Sequence, residues 1–354
     1  MTRPGTTAPV PPTAPVSQTG PRTSAPAFGR LLRVEFRRLA ARRFTRVALG
    51  LSLIGYLVAV GLIWHNHDRV SAADIAGATS QRDQLIVQFT AEVEQCRKNA
   101  VNEQDALNCG TPPTPEQFPI DQFLRTQAFD PSQVDDYALA VGVATAMLAF
   151  LLAATFIGAE WSSKNLVSWL FWESRRLRVM AAKLLALLGS VLALAVLAQL
   201  LWFGTAKLLL HYRGLPVSSL GPLAAHFWSH VVNAQLRAAL LVLITSLVGF
   251  SLASLMRNSA AALGVAFVYF AVVENVIRAL NPDLQPYLFT TNLAAWIANE
   301  GITVFGKSVY NQAQGYVMPK EIHVSNVHGG VMLLVFAGVA TVAALAVFTR
   351  RDIS

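Results

Sequence analysis

Charge is what this chain has least of. Asp, Glu, Lys and Arg make up 14% of its 354 residues, against about 25% in an ordinary soluble domain. That excludes a typical cytosolic enzyme, and the 54% apolar content excludes disorder for most of the chain. Cysteine is nearly absent as well. Cys96 and Cys109 are too few for a disulfide scaffold, and no CxxC or Cys/His metal spacing occurs. GxxxxGK[ST] is missing, so the chain cannot cradle nucleotide phosphates itself, and HExxH and GxSxG are missing too. No catalytic set, metal set or cofactor site is legible. His65-Asn66-His67-Asp68 is the nearest to a metal cluster, but after Trp64 it reads better as an interfacial cap.

What the chain does have is apolar runs near ~20 residues, the length that crosses ~30 Å of hydrocarbon. There are six, at 47–64, 137–159, 181–211, 238–256, 260–277 and 330–348. Leu, Ala and Val dominate them and none has an interior proline, so helices are expected rather than barrel strands. The expected fold is therefore an all-α integral membrane protein with six transmembrane helices. Residues 1–27 are Pro/Thr-rich and read as a disordered tail. Residues 28–46 read as an amphipathic basic helix on the membrane surface, with Leu32, Phe36, Leu39 and Phe44 as its apolar stripe. The large 65–136 segment between helices 1 and 2 reads as a loop domain. Segments 212–237 and 278–329 are further loops on the same side, the latter with a half-buried helical piece at 292–297. Arg257-Asn258-Ser259 alone separates spans four and five.

Charge sets the orientation. The tail through Arg46 carries nine arginines and one acid, Glu35, whereas 65–136 carries five bases and twelve acids. Segment 160–183 has five bases against two acids, and Arg257, Arg350 and Arg351 add to the basic group. The positive-inside rule then makes the N-terminal tail, the 160–180 loop, the 257 turn and the 349–354 tail cytoplasmic, and 65–136 extracytoplasmic. Six crossings with both termini inside agree with this in parity. The chain is expected to be a multi-pass protein of the cell membrane. Its basic excess faces lipid; no nucleic-acid partner is expected, because that needs a basic patch on a folded surface. Lys207 and His211 would snorkel to the outer interface. Cys96 and Cys109 share the oxidising side, where a disulfide would contribute ~3 kcal/mol to its loop; two unpaired thiols are the alternative.

Two polar groups stand out from this apolar background. Glu274, Asn275 and Arg278 lie in span five, with Glu274 sixteen residues beyond Asn258, or ~24 Å along a helix. Glu274 and Arg278 are spaced for an i,i+4 ion pair, either an interfacial pair or one lining or gating a pathway. The second is the 160–180 loop, longer than the 2–8 residues a bare connection needs. Leu166, Trp169, Leu170 and Leu177 recur at helical spacing in it, with Lys164, Glu173, Arg175, Arg176 and Arg178 polar.

In these features the chain resembles the membrane subunits, or permeases, of ABC transporters of the type-2 exporter class. Those have an amphipathic connecting helix, six spans, a cytoplasmic coupling helix between spans two and three, and re-entrant or extracellular helices between spans five and six. Gly158-Ala159-Glu160, Leu166, Arg175 or Arg176, and Lys183 match the family's pattern around the first cytoplasmic loop. Lys164-Asn165 stand where Gly-Thr is usual, and Glu173 where Pro is usual. The resemblance covers residues 28–354. It implies a transport component pairing with a second copy or a homologous permease within the lipid bilayer. It also implies a separate ATPase subunit carrying ATP and Mg, docked through Glu160, Lys164, Asn165, Arg175 and Arg176. A membrane-anchored enzyme or assembly factor acting through 65–136, or an ion-coupled secondary transporter, are the other readings. The first would need a recognisable catalytic face, the second inverted repeats and midplane carboxylates.

Overall fold

A computed structural model describes residues 28–124, 126–163, 176–311 and 316–350. It contains six helices long and apolar enough to cross a membrane, at Arg43–Asn66, Pro131–Ser162, Leu177–Arg213, Val217–Met256, Ser259–Leu280 and Asn326–Arg350. These are spans one to six. Each is longer than its apolar run, because helices continue past the hydrocarbon with polar ends. Span four shows this best: its α-helix begins at Phe227, eleven residues before Ala238, so much of the expected 212–237 loop is helical.

Before span one comes α1 (Phe28–Ala41), and the chain breaks at Arg42, whose backbone is extended at ψ 132°, before α2 (Arg43–Asn66). The expected continuous helix over 28–46 is thus two. Its buried stripe is Leu31, Glu35 and Leu39; of the apolar positions expected to face inward only Leu39 is buried, and Phe44 is exposed. The spacing was helical, but the face turned inward is chosen by what waits for Glu35 in the bundle.

Beyond span one, α3 (Ala72–Asn99) opens with a capping box in which Ser71 and Asp74 satisfy each other's backbone N–H groups. The short α4 (Glu103–Asn108) follows, and a disulfide joins Cys96 to Cys109 with their Cα atoms 5.7 Å apart. Span two is α5 (Val134–Ser162) and span three α6 (Arg176–Arg213). Span four, α7 (Phe227–Met256), ends with Arg257 in the left-handed region (φ 53°), and the Asn258 side chain caps the next helix by accepting from the Ala260 and Ala261 N–H groups at 2.8 and 3.3 Å. That cap is what makes a two-residue hairpin workable. Span five comprises α8 (Ser259–Val268), a π-helical turn over Tyr269–Val273, and α9 (Glu274–Leu280).

Between spans five and six lie α10 (Phe289–Ile297) and an antiparallel hairpin of β1 (Ile302–Asn311) and β2 (Tyr316–Val324), paired from Ile302↔Val324 to Asn311↔Tyr316 with a register shift between Phe305 and Ser308. The helical body is the one expected of an all-α membrane protein, and the hairpin is a two-stranded addition within the 278–329 segment. Its strands are rich in β-branched and aromatic types, and Asp283 and Gln285 anchor it by accepting from Lys307 N–H (3.0 Å) and donating to Phe305 C=O (2.8 Å). Span six is α11 (Asn326–Arg350).

Spans two and four form the centre. More than half of span two's most apolar window is buried (56%), whereas none of span one's is; span one sits at the periphery, tied to span three by a 2.6 Å Tyr56–Thr205 hydrogen bond. Close approach relies on glycine. A Cβ on Gly142 would stand 2.4 Å from Ala238 Cβ, and one on Gly158 would stand 2.5 Å from the Ser259 backbone nitrogen. In lipid, where burial against a neighbour gains little over burial against acyl chains, such small-residue contacts are what hold helices together.

The bundle has two ends. At the tail end, α1, the end of span two, the start of span three, the 257 turn and the end of span six meet; Arg257 lies over the Trp161 ring at 4.8 Å and Trp161 packs on Phe348. At the far end are α3, α4, α10 and the β-hairpin. There Arg213 lies over Trp64 at 4.7 Å, and Phe129 pairs by backbone hydrogen bonds with Arg213 and Leu215.

Candidate functional site

The tail end holds a cluster of buried charges. Lys183, one turn into the apolar part of span three, is 0% exposed, and its Nζ lies 2.9 Å from Glu35 Oε2 and 2.6 Å from Glu160 Oε2. The second is an ion contact off the line of a hydrogen bond. Glu35 comes from α1 and Glu160 from the last turn of span two; both carboxylates are nearly inaccessible. Two arginines complete the cluster. Arg38 lies 3.4 Å from Glu35, and Arg42 donates to the Thr155 carbonyl at 2.9 Å and lies 3.4 Å from Glu160. Arg42 and Lys183 also stand over the Phe156 ring at 4.9 and 5.5 Å. Burial pulls the Arg42 pKa below its ordinary value, while Glu160 and Glu35 pull it back up.

The backbone explains how these groups meet. Glu35 is the central residue of the Leu31–Glu35–Leu39 stripe, spaced i,i+4,i+8 on one face of α1. Phe36 reaches the place a Cβ would occupy on Gly189, 2.8 Å away, which lets α1 lie flat on span three. Gly158 lets span two approach the 257 turn, and Glu160 follows two residues later in the same helix. Three elements are thereby joined through one ammonium group.

Of the expected coupling residues, Glu160 takes part in this cluster. Lys164, Asn165 and Arg175 lie outside the described residues, as does the helix expected around Leu166 and Trp169. Arg176 opens α6, so helix begins four residues before the expected end of the loop. Sequence reasoning missed Glu35, Arg42 and Lys183 as partners. The available signal was Glu35 itself: a single acid among the nine arginines of the tail, flanked by leucines at i−4 and i+4.

At the far end, Glu274 is completely buried and pairs with Arg278 at 3.4 Å, the i,i+4 arrangement. It also does something its sequence neighbourhood does not reveal. Helix α10 has Leu288 at its N-cap, with no side-chain cap. The Glu274 carboxylate supplies one from span five, accepting the Thr290 N–H at 3.2 and 3.3 Å and the Thr290 hydroxyl in a short hydrogen bond. Arg278 donates to the Thr290 and Thr291 hydroxyls. Asn275 does not join this group: its side chain is exposed and donates to the Phe270 and Ala271 carbonyls at 3.4 and 3.0 Å, within its own turn.

Elsewhere at this end, Lys207 lies over the Phe203 and Trp228 rings at 4.8 and 5.3 Å, and the His67 ring bonds the Ile63 carbonyl at 2.7 Å and packs edge-on against Phe129. No group of three or more His, Cys, Asp or Glu placed to hold a metal ion occurs among the described residues. In comparisons with protein-family models and with curated proteins, the chain matches none.

Proposed function

We propose that this chain is the membrane-spanning permease subunit of an ATP-driven exporter of the ABC type-2 class. It would line a translocation path together with a second copy or a homologous permease. A separate ATPase, carrying ATP and Mg, would dock on the 160–180 loop at the cytoplasmic, tail end. The observation that supports this reading best is the Glu35–Lys183–Glu160 cluster. It brackets the loop on both sides: Glu160 precedes segment 164–175 and Lys183 follows it. A push on that segment therefore cannot move span two without span three, and both carry α1 with them. A chain needing only a topological linker has no use for three buried charges there. On this reading ATP hydrolysis belongs to the partner, and the permease converts the loop's displacement into a change in how its spans pack.

The test is charge reversal of Arg175 and Arg176 to glutamate. Insertion survives, because the arginines of α1 and the tail maintain the orientation. Co-purification of the ATPase and transport-stimulated hydrolysis fall. If binding and transport persist unchanged, the loop is not the coupling element.

A further inference from the structure

Helix α10 is held at both ends by side chains from other helices, a carboxylate with Arg278 as its counter-charge at the N-terminus and a guanidinium at the C-terminus. Glu274 of span five caps the N-terminus. At the C-terminus, Arg237 of span four donates to the Trp296 and Ala298 carbonyls at 3.3 and 3.1 Å, and to the Asn299 side chain at 2.8 Å. Asn299 in turn donates to Asp135 at the start of span two, 2.9 Å away, and Asn326 of span six donates to the Ala295 carbonyl at 2.9 Å and to that of Ala298. Trp296 closes the loop by donating from its indole to the Arg237 carbonyl at 3.0 Å. A helix dipole places partial positive charge at the N-terminus and partial negative charge at the C-terminus, so a carboxylate at one end and a guanidinium at the other both stabilise this seat.

The two ends differ in exposure. The Glu274 carboxylate is 0% exposed, and the π-helical turn just before it gives the span a place to absorb rotation. At the Arg237 end the bonds to the two carbonyls are part-buried, but the bond to Asn299 is exposed, so water and salt compete for that one. The end that solvent reaches through one of its hydrogen bonds is therefore the C-terminal one.

We propose that α10 is a hinged flap: Glu274 is its pivot and Arg237 the latch that keeps its C-terminal end down on spans four and six. Arg237 is a positioning residue, acting through the α10 carbonyls. Its links to spans two, four and six make the latch sensitive to relative motion of those spans. In the exporter this is where the far end of the path opens, a step that rests on the function proposed above.

The experiment uses the full chain with its native disulfide intact, reconstituted in vesicles that present the far end to bulk solvent. A cysteine replaces Ala295, fully buried on the inner face of α10, or, as a separate control, Ala195, buried in span three. Each is labelled with a membrane-impermeant maleimide. Arg237→Gln raises the labelling rate at 295 on the order of tenfold, the scale of a helix-terminal charge interaction, and leaves 195 unlabelled. Arg237→Lys, which keeps the charge with fewer donors, gives a smaller increase and serves if the glutamine variant also exposes position 195. Wild-type labelling at 295 in both variants overturns the latch. A separate arm adds the partner ATPase, trapped with nucleotide, to the wild-type latch. Faster labelling at 295 links the flap to transport; an unchanged rate refutes that link and leaves the latch to be judged by the variants alone.

Discussion

Replacing Lys183 by methionine tests the tail-end cluster most directly. The ammonium lies 2.9 Å from Glu35 and 2.6 Å from Glu160, so each attraction is about 6 kcal/mol at an effective dielectric of about 20. Desolvating three ions costs several kcal/mol each, which offsets most of that gain. The intact cluster is thus close to neutral in net terms, and the charge-removing variant is not. Methionine leaves two carboxylates buried near each other, with Arg38 and Arg42 as remaining counter-charges, each at 3.4 Å. Breaking a buried pair from one side costs about 3–5 kcal/mol, and the two arginines bring this to the lower end. Thermal unfolding in detergent, followed by circular dichroism at the helix band, should show a fall in Tm of roughly 4 °C. The triple variant Glu35→Gln, Lys183→Met, Glu160→Gln removes the stranded charges too and should recover most of the loss, giving a coupling energy above about 1 kcal/mol. A Lys183→Met protein that melts with the wild type, or a triple variant as unstable as the three single losses added together, would refute the reasoning.

Gly158→Ala drives a methyl group to 2.5 Å from the Ser259 backbone and should cost about 1–3 kcal/mol. Gly204→Ala, which meets nothing within 4 Å, should leave the melt unchanged or raise it slightly; equal effects at both sites would contradict the packing. For sidedness, a cysteine in place of Val101, 92% exposed at the far end, should react with an impermeant maleimide in intact cells, while one replacing Arg257 at the tail end should react only after permeabilisation. The reverse pattern would invert the orientation read from charge.

Much of this architecture was legible in the chain itself because it follows from one-dimensional quantities. Apolar run length alone determines which helices can cross a bilayer, since backbone groups in hydrocarbon must be satisfied within the helix. The tight connection after Met256 was legible too, since Asn258 is a strong capping residue at the start of the next run. The helix edges were not, because α7 enters its span with eleven residues that are not uniformly apolar. The β-hairpin is not legible as strands, because its sequence lacks apolar alternation and its strands are held largely by each other and by Asp283 and Gln285.

For the candidate sites the division is sharper. The i,i+4 pairing of Glu274 with Arg278 could be read from spacing, since both sit on one helix. That the same carboxylate caps α10, sixteen residues further on, could not, and nor could the role of Arg237, which acts on carbonyls 59 and 61 residues away. Glu160 was singled out for its place at the end of span two, yet its partners Lys183 and Arg42 come from other helices. Sequence determined the six spans, the charge asymmetry between the two ends and the identity of the polar residues that an apolar bundle must accommodate. Tertiary structure decided which of them meet, because a buried charge is stable only with a counter-charge within about 4 Å, and Glu35 finds its own in Lys183 of another helix, 148 residues away.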